Sequence, residues 1–206
     1  MRLRIDFFKR FIGCIAFIGL AGGCAQLHDY VEMARPRTLS IEYREALDGW
    51  TRERTVYSEF STRAKIVATF KSPEFMEAWL AEYRRVYLVE SDEKGKTHPA
   101  LESAKDMAEF LLYVYVPDRE AIDLDKPDSA WNVILVDAKG DRYQPLEIRE
   151  LRDVGPMITE FYPYANPYYG KIYLLKFDGA ALGGEPTKLP VKLVVTGVVA
   201  QVELTW

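Results

Sequence analysis

Cysteine is nearly absent from this chain of 206 residues, which has only Cys14 and Cys24. Both lie within the first 24 residues, so the remainder has no thiol for a disulfide or for a cysteine-ligated metal ion. Without a disulfide, the remainder must be stabilised by its core alone. A chain of this length can bury about 70% of its unfolded surface, which makes covalent cross-links unnecessary.

Histidine is equally scarce, and His28 and His98 are the only two. Catalytic and metal-ligand roles depend heavily on His and Cys. We expect His28 to be a solvated residue near the N-terminus and His98 to precede a helix. The sequence also lacks the HExxH, GxSxG, P-loop and GxGxxG patterns. These absences favour a protein without catalytic activity and without a cofactor.

The formal net charge of −4 hides an uneven distribution along the chain. Residues 1–23 carry four basic side chains against Asp6, a net of +3, which leaves a net of −7 for the rest. An acidic domain without a basic, aromatic-rich patch argues against nucleic acid as a partner. Hydrophobic residues make up 49% of the chain and charged residues 28%, an ordinary globular balance.

The N-terminal segment has the organisation of a signal peptide. Its first ten residues, MRLRIDFFKR, are basic, and residues 11–23 carry no charge. This apolar run is too short to span a bilayer as a helix, which takes about 20 apolar residues. Its length and its basic flank are typical of a signal-peptide core.

The sequence Leu20-Ala21-Gly22-Gly23-Cys24 resembles the lipobox of bacterial lipoproteins, with its leucine one position earlier than is usual. The resemblance covers residues 1–24 only. It implies that the Cys24 thiol is joined to a diacylglycerol, that the chain is cut between Gly23 and Cys24, and that the new amine is acylated. Cys14 is a poor alternative, because Arg10 lies only four residues before it.

An uncleaved anchor and a plain secretory signal are the alternatives to a lipoprotein. Because Ala25 follows the cysteine where enterobacterial lipoproteins retained in the inner membrane have Asp, the resemblance favours the outer membrane, with the domain in the periplasm and surface exposure possible. Several acyl chains together anchor a protein stably. We interpret residues 24–39 as the lipidated cysteine and a tether, and 40–206 as one domain.

Most of this domain is expected to form strands, because apolar and polar residues alternate in short segments bounded by turn residues. Residues 51–58 are more polar and are expected at a sheet edge, whereas 131–136 are expected to be central. The alternation places Phe60 and Leu146 inward. Gly197 interrupts the C-terminal run and predicts a bend there, with a possible change of sheet. The predicted strands are 51–58, 60–70, 110–116, 131–136, 142–151, 171–177 and 191–206.

Two helices are predicted between the first strands and the rest. Ser72 and Pro73 are a typical helix start and precede an apolar stripe from Phe75 to Tyr87. A second helix is expected near 99–108. Hairpin-length links and the lack of strand–helix alternation favour a mainly β (α+β) fold. We predict an antiparallel, immunoglobulin-like β-sandwich with a two-helix insertion near 73–88 and 99–108.

The loop DLDKPD contains three closely spaced carboxylates, Asp123, Asp125 and Asp128. Calcium takes six to eight oxygen ligands, so three carboxylates would leave most of the coordination shell unfilled. A solvated acidic loop is the simpler interpretation, and we expect no metal site.

The segment FYPYANPYYGKIY, residues 161–173, is unusually rich in tyrosine. Tyrosine combines a flat apolar ring with a polar tip and is common at interfaces. Phe161, Tyr162, Tyr164, Tyr168 and Tyr169 are therefore the candidate binding surface. The alternative, which ordinary aromatic burial favours, is that these rings cover an open end of the sandwich.

The sequence thus favours a non-catalytic binding or accessory lipoprotein of the outer membrane. Its expected partners are the membrane, through the lipid, and another envelope protein or glycan. One alternative is an enzyme that acts on envelope polysaccharide through carboxylates such as Asp123 and Asp125. Another is a structural component of an envelope assembly.

Overall fold

The computed structural model describes residues 39–89, 101, 104, 106–179 and 190–206. The predicted signal peptide, Cys24, His28 and His98 lie outside these residues, as does most of the predicted tether. Leu39–Trp206 is one compact unit. Three helices lie wholly within its described residues, α1 (Ile41–Trp50), α2 (Pro73–Tyr87) and α3 (Pro156–Phe161), and a 3-10 turn spans Arg119–Ala121.

Nine strands form two antiparallel sheets in the described part of the chain. They are β1 (Thr51–Ser58), β2 (Ser61–Phe70), β3 (Met107–Tyr115), β4 (Trp131–Val136), β5 (Arg142–Tyr143), β6 (Glu147–Glu150), β7 (Lys171–Asp178), β8 (Lys192–Gly197) and β9 (Gln201–Thr205). One sheet has the order β1-β2-β3-β7-β6 and the other has the order β5-β4-β8-β9. The predicted antiparallel sandwich is confirmed.

The strand order also confirms the immunoglobulin-like topology. In that fold the two sheets are A-B-E-D and C-F-G, with C′ added beside C in variable-type domains. Here β2-β3-β7-β6 corresponds to the first sheet and β5-β4-β8-β9 to the second. Strand β1 is an additional edge strand beside β2, as predicted for residues 51–58.

The central strands of the first sheet, β2, β3 and β7, are buried on both faces. Side chains of alternate parity, such as Ile66, Leu112 and Leu175, pack between the two sheets. On the opposite face Val67 and Leu111 pack against α1, α2 and α3. The apolar run of β3 thus has a physical reason, because neither of its faces meets water.

Helix α2 begins where the sequence predicts. The Ser72 hydroxyl accepts the backbone N–H of Phe75 at 3.1 Å, and Pro73 occupies the first turn. The predicted stripe is buried at Phe75 and Leu80 but exposed at Tyr87. The second predicted helix is correct at Leu101, Ala104 and Asp106, which are helical, and wrong at Ala108, which lies in β3. Residues 99, 100, 102, 103 and 105 lie outside the described part.

Three sequence expectations are wrong, each at a point where the chain turns. Phe60 lies in the β1–β2 turn rather than in the core. Residues 142–151 form two strands in different sheets, because Pro145 interrupts the pairing and leaves Leu146 exposed. The chain does turn at Gly197, but β8 and β9 form a hairpin within one sheet, so the change of sheet occurs near Pro145 instead.

Candidate functional site

Four connections meet at one end of the sandwich, which we call the loop end: residues 59–60, 116–130, 162–170 and 198–200. Strand β3 finishes where β7 starts, because Val114 pairs with Lys171. Strand β4 starts where β8 finishes, because Trp131 pairs with Gly197. The two sheets are joined here by the Arg63 guanidinium, whose Nε donates to the carbonyl of Val199 at 2.6 Å.

The loop 116–130 is fixed to the first sheet and to β4 by its own backbone. Trp131 Nε1 donates to the carbonyl of Ala121 at 2.6 Å. The carbonyl of Ile122 accepts from Lys171 Nζ, and Tyr173 Oη also donates to it at 3.4 Å. Ile122 itself is fully buried. This anchoring makes the loop a rigid support for the residues around it.

Apolar side chains project into solvent from this end. Phe60 is completely exposed, and Tyr168 and Val198 are 85% and 84% exposed. Tyr57 and Tyr169 are also mostly exposed. These five residues come from both sheets and from three separate connections. Single exposed apolar residues are ordinary, but several at one end of a domain make that end the candidate interaction surface.

The turn that carries Phe60 is locally strained. Ser58 pairs with Ser61, so Glu59 and Phe60 form a two-residue hairpin loop. Glu59 has φ of +54°, a conformation that glycine adopts more readily than any other residue at the first position of a type II′ turn. The turn holds the ring of Phe60 away from the core.

A groove of about 390 Å³ lies beside Phe60. Its walls come from the β1–β2 turn, the end of β3 and the β8–β9 turn, and they include Ser61, Arg63, Val116, Pro117 and Val199. The groove is open to solvent and lined mainly by apolar atoms. It could receive a side chain or a sugar ring from a partner, but the residues around it do not form a constellation typical of catalysis.

The tyrosine-rich segment is divided between core and surface. Phe161 and Tyr162 are buried, so these two cannot contribute to a binding surface. Tyr164 is half-buried, and its hydroxyl lies 2.6 Å from the Thr69 hydroxyl. Burial raises the pKa of both Tyr162 and Tyr164 above the ordinary value. Only Tyr168 and Tyr169 of the five candidates face solvent.

Two close contacts explain this division. The hydroxyl of the buried Tyr43 on α1 donates to the carbonyl of Phe161 at 3.0 Å, which holds the end of α3 against α1. Gly170 lies so close to β3 that a Cβ there would come within 2.4 Å of the Val114 carbonyl oxygen. The chain between them has to leave the sheet and return, and this places Tyr168 and Tyr169 on the outside.

The three candidate carboxylates do not converge. Asp123 accepts the Ser129 hydroxyl at 3.0 Å, Asp125 lies 3.6 Å from the Arg152 guanidinium, and Asp128 is exposed. Across the residues that the structure describes, His, Cys, Asp and Glu side chains form no group of three that could hold a metal ion.

Two glutamates with buried side chains are each paired with a cation. Glu109 of β3 lies 2.8 Å from Lys71, and Glu82 of α2 binds Arg85 at 2.6 Å. Hydrogen bonds from Arg85 and Ser40 lower the pKa of Glu82 to about 2 despite its burial. Both glutamates therefore act as structural anchors that join neighbouring elements.

A second groove, of about 400 Å³, separates the edge strands β1 and β9 and is mostly polar. Lys192 and Glu203 form an ion pair of 2.8 Å in its wall. Nearby, Arg52 Nε of β1 donates to the carbonyl of Thr205 at the end of β9, at 2.9 Å. The Arg52 contact joins the edges of the two sheets, whereas the ion pair joins β8 to β9 within one sheet, and both favour a structural role for this groove.

Sequence reasoning missed Phe60, Tyr57 and Val198 as surface residues. The signal for Phe60 was the short SEFS sequence, in which polar residues flank a single aromatic residue.

A comparison of the chain with protein-family models, curated proteins and solved structures finds no significant match. Among the described residues, no helix is both long enough and apolar enough to cross a bilayer.

Proposed function

We propose that this protein is a non-catalytic lipoprotein of the bacterial outer membrane, with a periplasmic domain that binds another component of the envelope. The N-terminal resemblance supports lipidation at Cys24 and cleavage after Gly23. The gathering of exposed aromatic and aliphatic residues at the loop end supports binding, and it is the observation that carries this part of the proposal.

The proposed binding surface consists of Phe60, Tyr168, Tyr169 and Val198 at the loop end, which also contains the groove. This surface retains Tyr168 and Tyr169 of the five residues predicted from the tyrosine-rich segment. It adds Phe60 and Val198 from two other connections. In immunoglobulin variable domains the loops that recognise a ligand also cluster at one end of the sandwich. The anchored loop 116–130 supports this surface, so binding requires little ordering of the protein.

A partner protein suits this surface better than a glycan. The exposed groups combine Tyr rings with the wholly apolar Phe60 and Val198, and such mixtures are typical of the centres of protein interfaces. A glycan is the second candidate, because the rings of Tyr168 and Tyr169 could stack on a sugar. A carboxylate-dependent enzyme and a purely structural subunit remain alternatives, although no contact at Asp123 or Asp125 favours catalysis.

The test is co-purification of envelope partners with the wild type and with a Phe60→Ser, Tyr168→Ser, Tyr169→Ser variant. All three side chains are exposed, so the fold should be unaffected. We expect a specific partner to be retained by the wild type and lost by the variant.

The matched control is Leu146→Ser, which removes an exposed apolar group from the β5–β6 connection, outside the loop end. We expect this control to retain the partner. Equal retention by the wild type and the triple variant would remove the loop end from consideration.

A further inference from the structure

The first described residues of the domain are bound to helix α2. The backbone N–H of Ser40, the N-cap of α1, donates to Glu82 Oε1 at 2.9 Å. Arg85 binds the same carboxylate through Nε and Nη2, at 2.9 and 2.6 Å. The point at which the preceding chain joins the domain is therefore fixed beside the C-terminal part of α2.

Helix α2 continues past Glu82 into solvent. Every residue from Arg84 to Val89 is exposed, and four consecutive ones are apolar: Val86, Tyr87, Leu88 and Val89. We call these four residues the α2 tip. Leu88 is the most exposed of them at 87%, whereas the ring of Tyr87 contacts that of Tyr83 at a centroid distance of 4.6 Å.

The α2 tip has a defined geometry. Leu88 adopts a left-handed conformation with φ of 52°, and the Val89 N–H donates to the Arg84 carbonyl at 3.1 Å. The helix is therefore capped, and its apolar residues are held in place. A run of four exposed apolar residues on a fixed turn is unusual for a surface that meets only water.

The tip lies close to the place where a lipid anchor would hold the domain. Leu88, the C-cap of α2, lies six positions after Glu82, which corresponds to a rise of about 9 Å along the helix. Fifteen residues lie between Cys24 and Ser40, and a random coil of that length would span about 20 Å root-mean-square. If Cys24 is lipidated, a bilayer surface is therefore within reach of the α2 tip.

We propose that the α2 tip inserts into the phospholipid interface and gives the anchored domain a second membrane contact. This inference rests on the proposed lipidation of Cys24. Leu88, Val86 and Val89 would enter the region between head groups and acyl chains. Tyr87 suits the interface because its ring is apolar and its hydroxyl is polar. Arg84, exposed one turn before Leu88, would lie at the level of the lipid phosphates.

The charge of the protein indicates which lipids to use. The chain after residue 23 has a net charge of −7, so a strongly anionic surface would repel the domain as a whole. Insertion of the tip depends on apolar burial rather than on attraction between charges. We therefore expect the contact on zwitterionic bilayers.

The second contact would also orient the domain. The tip and the Cys24 lipid would fix two points of the protein at the membrane, which restricts rotation about the tether. Helix α2 lies on the face of the first sheet that is turned away from the second sheet. Strands β8 and β9 would then be separated from the bilayer by the first sheet and its helices.

The experiment places a fluorophore on the tip of the full-length, lipidated protein. Cys14 is removed with residues 1–23, and the thiol of Cys24 is acylated. A cysteine introduced by Leu88→Cys is then the one free thiol and can be labelled selectively. The protein is reconstituted into phosphatidylcholine vesicles with and without bromine on the acyl chains. Val198→Cys, which is almost equally exposed but lies in the β8–β9 turn, is the matched control. Val86→Cys provides a second label on the tip, in case residue 88 does not tolerate the change.

We expect the brominated acyl chains to quench about half or more of the fluorescence of a label at residue 88 or 86. Interfacial side chains are buried roughly 5–10 Å into the boundary between head groups and acyl chains, within reach of the bromine atoms. The label at 198 should lose little. No quenching at residues 88 and 86, or equal quenching at 198, would overturn the inference. A thiol still free at residue 24 in the unsubstituted protein would instead show that lipidation itself had failed, and this inference would fail with it.

Discussion

Glu82 and Ser40 are joined by a hydrogen bond of 2.9 Å between the Glu82 carboxylate and the Ser40 backbone N–H, across 42 residues of sequence. The Glu82 side chain is almost fully buried, and Arg85 supplies the compensating charge from a half-exposed position. This contact fixes the start of α1 against α2. It also determines where the preceding chain joins the domain.

Replacing Glu82 with Ala should destabilise the fold by about 2 kcal/mol, because it removes charge-assisted hydrogen bonds to Ser40 and Arg85. Urea unfolding at neutral pH measures the change. Glu77→Ala is the control on an exposed position of the same helix and should have little effect. Equal stability of the two variants would contradict the structural role given to Glu82.

The same carboxylate predicts a dependence of stability on pH. Because Arg85 and Ser40 lower the folded-state pKa of Glu82 from 4.5 to about 2, its contribution is complete above the unfolded pKa. This stabilisation is lost as the pH falls from about 4.5 towards 2. The loss between pH 6 and pH 3 amounts to about 2 kcal/mol. Unfolding curves at both pH values should show this loss in the wild type and a smaller loss in Glu82→Gln. Parallel behaviour of the two proteins would argue against the lowered pKa.

Gly170 should not tolerate alanine. Its Cβ would lie 2.4 Å from the Val114 carbonyl oxygen and 2.6 Å from the Tyr113 ring. We expect Gly170→Ala to cost about 1–3 kcal/mol, as overpacking against backbone does, when measured by thermal or urea unfolding. Gly155→Ala has no atom within 4 Å of the new methyl group and should be close to neutral. A neutral Gly170→Ala would show that the tyrosine-rich segment does not lie this close to β3.

Glu59→Gly should raise stability, by about 0.5–1 kcal/mol, because glycine adopts the positive φ of this position without the strain of a side chain. The melting temperature measures this gain. Glu53→Gly, on the extended part of β1, is the comparison and should be destabilising. If Glu59→Gly also lowered the melting temperature, the turn would not have the geometry described.

Much of the fold follows from local sequence patterns. Ser72-Pro73 predicts the start of α2 because capping and proline geometry act within one turn. The alternation in 60–70 and the apolar run 131–136 predict strands whose side chains do pack in the core. Asp137 and Gly140 form a turn between β4 and β5, where Gly140 has the expected positive φ of 89°.

The sequence predictions fail where contacts between distant parts of the chain determine the structure. Helix α1 was missed although Tyr43, Ala46, Leu47 and Trp50 have helical spacing, because the segment is short and gains most of its stability from packing on the sheet. Alternation alone placed Phe60 inside, whereas the two-residue turn sends it outside.

Prediction of the candidate site from the sequence is limited in the same way. Composition identified the tyrosine-rich segment, but only the contacts of Phe161 with Tyr43 and of Gly170 with Val114 decide which rings are buried. Phe60 and Val198 join Tyr168 at the loop end through the pairing of strands that are far apart in sequence. No local pattern contains that information.

The chemical state of Cys24 determines whether this protein is a lipoprotein. Mass spectrometry of the N-terminal peptide of the protein from bacterial membranes gives this state. We predict a peptide that begins at Cys24 and carries a diacylglycerol on the thiol and an acyl chain on the amine, and we predict that Cys24→Ser abolishes both the modification and the cleavage. An N-terminal peptide that retains residues 1–23, or one that begins at Cys24 or later without lipid, would contradict the account.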